Sequence, residues 1–215
     1  AAGQIRAIVE EKDATPAQKM ITEINTGILA LPNRYLAAWL SRLSNSNAQG
    51  EYYLTDVIAL AVAEGVEVRG CVVPNSWQAA GVNSKLQLAE LERIYQRQQA
   101  NTLLEAGVQL ADPNRFDLRG ELRCGKDVFI DINVVIEGVV DLGDGVTIGP
   151  NCVLRDVTIA AGTDVAAFSH LQQAQVGASC RLGPYARLRP GAELADQVHI
   201  GNFVEVKNTT VGLGS

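Results

Sequence analysis

The sequence predicts a chain in two parts, an α/β segment followed by a left-handed parallel β-helix of hexapeptide repeats. Three observations predict it. An aliphatic residue recurs at Ile130, Ile136, Leu142, Ile148, Leu154, Ile159, Val165, Leu171, Val176, Leu182, Leu188, Leu194, Ile200, Val206 and Val211. A small, mostly apolar residue follows four places later, at Val134, Val140, Val146, Cys152, Thr163, Cys180, Ala186, Ala192, Val198 and Val204. Before this region, apolar runs at 4–10, 21–31 and 66–73 alternate with stretches of helical spacing.

A period of six suits neither a helix nor a hairpin, but it suits a coil in which each hexad is one short strand and one turn. Side chains alternate along a strand, so the aliphatic residue and the one four places on both point inward. Steps shortened to five follow Leu154, Leu171 and Val206. They lie three hexads apart, or a multiple of three, so one corner of a triangular coil is tighter than the others. The repeat extends back, more faintly, through Leu118 and Cys124.

In the first part, Leu36, Trp39, Leu40 and Leu43 sit at helical spacing, and Thr55 is placed to cap a helix through Val57, Ile58, Leu60 and Ala61. Three strands make a poor independent sheet with exposed edges, so part of this layer is expected to be missing. Residues 85–106 form a long helical stretch with Ser84 as its cap. Leu86, Leu91, Ile94 and Leu103 share a face, and Gly107 ends the helix. Asp112-Pro113-Asn114 is a turn before the coil. The expected domains are thus 1–85, a linker helix 86–106, and the coil 107–215.

The chain has 215 residues and a formal net charge of −6, which argues against broad affinity for nucleic acid or anionic membrane. It has no signal-peptide pattern and no apolar run long enough to span a bilayer. Cys71, Cys124, Cys152 and Cys180 lack metal or redox spacing, and Cys152 and Cys180 fall at inward coil positions. A reducing cytoplasm fits this cysteine usage.

Three stretches then converge on one family. Val9-Glu10-Glu11-Lys12-Asp13-Ala14 with Glu23-Ile24-Asn25-Thr26-Gly27 resembles the sugar-binding half of sugar-nucleotide pyrophosphorylases. Residues 49–56 (QGEYYLTD) and 81–88 (GVNSKLQL) resemble one branch of them. Residues 187–192 (RLRPGA) and 201–207 (GNFVEVK) are similar to that branch's coil. The branch is the bifunctional N-acetylglucosamine-1-phosphate uridyltransferase and glucosamine-1-phosphate N-acetyltransferase. The resemblance covers essentially the whole chain and keeps the motif order.

The resemblance implies a partial nucleotidyltransferase domain of Rossmann-like type, then the acetyltransferase coil. It implies acetylation of glucosamine-1-phosphate by acetyl-CoA, then uridylyl transfer from UTP with Mg²⁺ and release of pyrophosphate. It also implies a cytoplasmic homotrimer built through the coils. The chain reads as a central fragment. The family's phosphate-binding Gly-rich loop and metal-sharing aspartate precede it, and the acetyl-transfer histidine lies beyond Ser215. No catalytic residue is therefore expected within it. Direct acetyl transfer needs a general base, and His170 and His199, the only histidines, are expected to be surface or turn residues.

Residue by residue, Glu10 and Asn25 resemble the family's sugar contacts, and Asn83 the residue offering a carbonyl oxygen to Mg²⁺ and contacting the nucleotide. On the residues alone, Glu10 reads as a solvated charge, Asn25 as a turn residue and Asn83 as a helix start. Arg189 and Lys207 each follow an inward aliphatic residue, so both point outward. They are 18 residues apart, one full coil, and neighbouring strands lie about 4.8 Å apart. The two cations are therefore expected to stack unpaired until an anion relieves them, and the resemblance assigns both to the acceptor's sugar phosphate. Arg155 and Gln172 extend the column downward, and Arg187 lies beside it, placed to serve the same anion. The alternatives are a monofunctional nucleotidyltransferase with an oligomerising coil, and a non-catalytic trimeric scaffold.

Overall fold

The computed structural model describes residues 4–215. The chain divides into two compact units, one ending at Gly81 and one running Val82–Ser215. Each has its own apolar core.

The second unit is the expected coil. Its strands pair in parallel and almost always with a strand one full turn away, 17 or 18 residues along. One sheet runs from Gln109–Leu110 up through Phe129–Ile130, Thr147–Ile148, Asp164–Val165 and Arg181–Leu182 to His199–Ile200. We call it the first face. The other runs from Phe116–Cys124 through Val134–Leu142, Val153–Ile159, His170–Val176 and Arg187–Leu188 to Glu205–Val206. Its outward surface at the start of each of these strands is the second face. The aliphatic positions from Ile130 to Ile200 are buried, as are most of the small fourth-place residues. Val204, on the last turn, is 39% exposed.

The shortened steps appear as a register change, with Glu137 pairing Arg155 but Val140 pairing Val157. Each turn also needs one residue in the left-handed region. It is the third after the aliphatic residue, as at Asn133, Asn151 and Ser179, and the second where the step is short, as at Asp156 and Gln173. Three of these positions on one corner hold Phe168, Tyr185 and Phe203, whose rings stack 5.0 Å apart.

The long helix, Lys85–Glu105, closes the lower end of the coil. Ser84 caps it, accepting a hydrogen bond from the Gln87 amide, and Gly107 follows it at φ +95°. Its inner face is only partly the expected one, for Leu103 packs on the core but Leu86 is 69% exposed and Ile94 39%. The residues turned inward are Gln96, Ala100 and Leu103. Gln96 explains the choice. Its amide donates to the Leu118 carbonyl at 2.9 Å and accepts from the Leu118 amide at 2.8 Å. A side chain thus supplies the pairing that a strand beneath the first turn would have made, and an open sheet edge is covered.

The first unit departs from expectation. The runs 4–10, 21–31 and 66–73 are extended, yet no strand is assigned in residues 4–81 and no backbone hydrogen bond joins the runs. The expected α/β layer is therefore not formed here. The alternation is real, since Ile5, Ile8, Leu29, Leu31, Val66 and Val68 pack on Trp39, Val57, Ile58 and Ala61. Alternation reports which side of a segment is buried, whereas a sheet also needs a neighbour in register. Helix α1 (Asn33–Leu40) buries Trp39, whose indole donates to Glu64 at 2.9 Å. Helix α2 (Val57–Ala63) carries no side-chain cap. Thr55 lies instead within a 3₁₀ turn, Leu54–Asp56, that leads into the helix.

Candidate functional site: a cationic face on the upper coil

The inward turn of Leu188 and Val206 forces their neighbours outward on the second face. Leu188 pairs with Val206, and the Arg189 amide donates to the Val206 carbonyl, so Arg189 and Lys207 stand on adjacent rungs. Gln172 and Arg155 lie one and two rungs below Arg189 and pair with each other, so the expected column exists. Beside it runs a second column in which His170, Arg187 and Glu205 pair in order.

Arg189 is not unpaired, contrary to expectation. Its guanidinium donates to Glu205 Oε1 at 3.1 Å, and Arg187 Nε lies 3.7 Å from Glu205 Oε2. Glu205 precedes the inward Val206 and pairs with Arg187 in the neighbouring column, so a reading of the Arg189 column alone does not contain it. Lys207 has no carboxylate within 4.0 Å among the described residues. His170 is a strand residue facing outward. Desolvation, then the charge of Arg187, lowers its pKa from the ordinary histidine value. It is therefore neutral at pH 7.

Lower on the same face the charges alternate. Arg119 pairs with Glu137 in the ladder and Glu137 with Arg155, at 3.5 and 3.9 Å between charged atoms. Asp117 meets Arg119 at 3.7 Å and also takes a hydrogen bond from Arg93 of the long helix.

Glu10 and Asn25 belong to the first unit. Glu10 is half-buried, and its carbonyl accepts from the Asp13 amide at 3.0 Å; Asn25 is exposed. A network next to Glu10 was missed from sequence, although its residues lie in the quoted motifs. Gln49 donates to the Tyr53 hydroxyl at 2.9 Å, Tyr53 donates to Asp13, and Lys12 donates to Gln49. The Tyr53 pKa is raised by desolvation first, with Asp13 and Glu10 adding to it.

Asn83 belongs to the second unit, and its backbone amide donates to Gln87 Oε1 at 2.8 Å. Its carboxamide oxygen suits a hard cation, but no group of three His, Cys, Asp or Glu that could hold a metal occurs among the described residues. Cys152 and Cys180 are buried, and desolvation raises the Cys152 pKa to about 11.

The bifunctional protein GlmU of Chromobacterium violaceum is 66% identical over 213 residues, covering 99% of this chain and 47% of that protein. The likeness to this protein extends over nearly the whole of the chain. The GlmU proteins of Nitrosospira multiformis and Burkholderia vietnamiensis are each 59% identical, over 99% and 100% of this chain. The chain spans about half the length of these relatives, 46–48%. The family model for the GMPPB C-terminal domain matches residues 118–214, within the coil. The acetyltransferase domain of PglB from Neisseria gonorrhoeae aligns over 56% of this chain and 63% of its own, at 18% identity and TM-score 0.36. Among the described residues no helix is long and apolar enough to cross a membrane.

Proposed function

We propose that this chain is the middle stretch of a bifunctional enzyme of UDP-N-acetylglucosamine synthesis. Its coil binds glucosamine-1-phosphate for acetylation by acetyl-CoA. Its first unit contributes Glu10 and Asn25 to the sugar site of the uridylyl transfer from UTP. Asn83 gives one carboxamide oxygen to the Mg²⁺ of that step, and the metal supplies charge stabilisation on the phosphates. The working form is a cytoplasmic homotrimer assembled through the coils.

The observation that carries this reading is the placing of Arg189 and Lys207 on adjacent rungs inside a GlmU-like sequence. A phosphate offers three acceptor oxygens, and charge-assisted hydrogen bonds to it are among the strongest a side chain makes. Calorimetric titration of the chain with glucosamine-1-phosphate and with glucosamine tests it. The phosphorylated sugar should bind and the bare sugar should not, and Lys207→Met should weaken binding about tenfold. Equal binding of both sugars, or an unaffected Lys207→Met, would contradict the reading. Tight self-assembly with no sugar-phosphate binding would favour the scaffold.

A further inference from the structure

We infer that Arg187 is a third anion-binding residue of the upper coil face, and that the face is charge-matched to a phosphate monoester dianion. This rests on the reading that the face takes the acceptor's phosphate, and it adds a residue and a selectivity to it.

The argument is one of position and charge. Arg187 lies in the strand Arg187–Leu188 and Arg189 follows it directly, so the two flank the buried Leu188 and both point outward at the same level. Glu205 stands directly above Arg187 and lies against both guanidiniums, one carboxylate oxygen toward each. The single carboxylate thus lies between the two guanidiniums. Arg187 approaches Glu205 only through Nε, at 3.7 Å, beyond hydrogen-bond range, so its donors are not consumed. Lys207 stands above Arg189. Three cations against one carboxylate leave a surplus of two positive charges. His170, beneath Arg187, is exposed and neutral at pH 7, so it leaves the count unchanged.

A phosphate monoester carries about −1.5 to −2 at neutral pH, and a diester carries one charge. A surplus of two therefore favours the monoester. With Arg187 removed the surplus falls to one, which a diester neutralises equally well. The lower rungs of the same face provide an internal contrast, since there each arginine meets carboxylates on neighbouring rungs.

The test uses methyl phosphate and dimethyl phosphate, which differ in charge and carry no sugar, titrated calorimetrically into the chain at pH 7.5. The variants are Arg187→Gln, Arg187→Lys, Arg189→Gln and, as a control on the first face, Arg181→Gln, with circular dichroism to confirm folding. The expected result is preference for methyl phosphate in the wild type, a loss of about tenfold in Arg187→Gln with the preference erased, partial recovery in Arg187→Lys, and no change in Arg181→Gln. Wild-type affinity in Arg187→Gln beside weakened Arg189→Gln would overturn the role of Arg187 and leave the proposed site standing. No difference between the two esters would overturn the charge match. Failure of the wild type to bind either ester would overturn both this inference and the reading it rests on.

Discussion

The lower and upper rungs of the second face share strand spacing, pairing pattern and an aliphatic interior, yet carry different charge. Below, Asp117 meets Arg119 on one rung, and Arg119, Glu137 and Arg155 alternate in charge and meet across the rungs. Above, Arg187, Arg189 and Lys207 face a single Glu205. The difference teaches that the coil is a neutral frame. Its inward residues build the same prism everywhere, and the outward residues alone decide whether a stretch is merely solvated or ready to hold an anion.

The comparison can be sharpened first at the core. Leu154 lies under the lower rungs and Leu188 under the upper, and both are fully buried. Leu154→Ala and Leu188→Ala should each cost about 2–5 kcal/mol in denaturant unfolding, with overlapping values. A much smaller cost in one half would show that the two differ inside as well as outside. Next, Arg189→Gln should weaken binding of glucosamine-1-phosphate about tenfold, whereas Arg155→Gln should leave it unchanged in the same titration.

Smaller effects follow. Arg119→Gln and Arg155→Gln should change unfolding free energy by about 1 kcal/mol or less, because exposed ion pairs contribute little. The smallest concerns acid. Folding lowers the His170 pKa, so the unfolded chain binds its proton more readily and stability falls as pH drops through the ordinary histidine range. His170→Gln should remove that part of the acid-side loss, read as a flatter melting temperature between pH 7 and pH 5. An unchanged slope would show that His170 does not contribute.

How much of this the sequence showed follows from the same contrast between frame and surface. The coil was legible because a period of six has one structural use and its inward places admit only small or aliphatic residues. Cys152 and Cys180 were placed correctly for that reason. Arg189 and Lys207 were placed on adjacent rungs because 18 residues make a full turn.

The contact between Arg189 and Glu205 was not legible. It runs diagonally between columns, and a reading along one column does not contain it. Gln96 was hidden for a similar reason. A polar residue on a helix is normally solvated, and only the unpaired edge at Leu118 makes it the buried one. In the first unit, the apolar runs identified the packed side chains, but pairing depends on neighbouring strands that alternation does not encode.

The most direct measurement is an NMR titration of the arginine Nε–Hε signals with methyl phosphate at constant ionic strength. Arg187 and Arg189 should shift together along one saturable curve, while Arg119 and Arg155 stay in place. Equal shifts in all four, or movement only of the lower pair, would contradict the account.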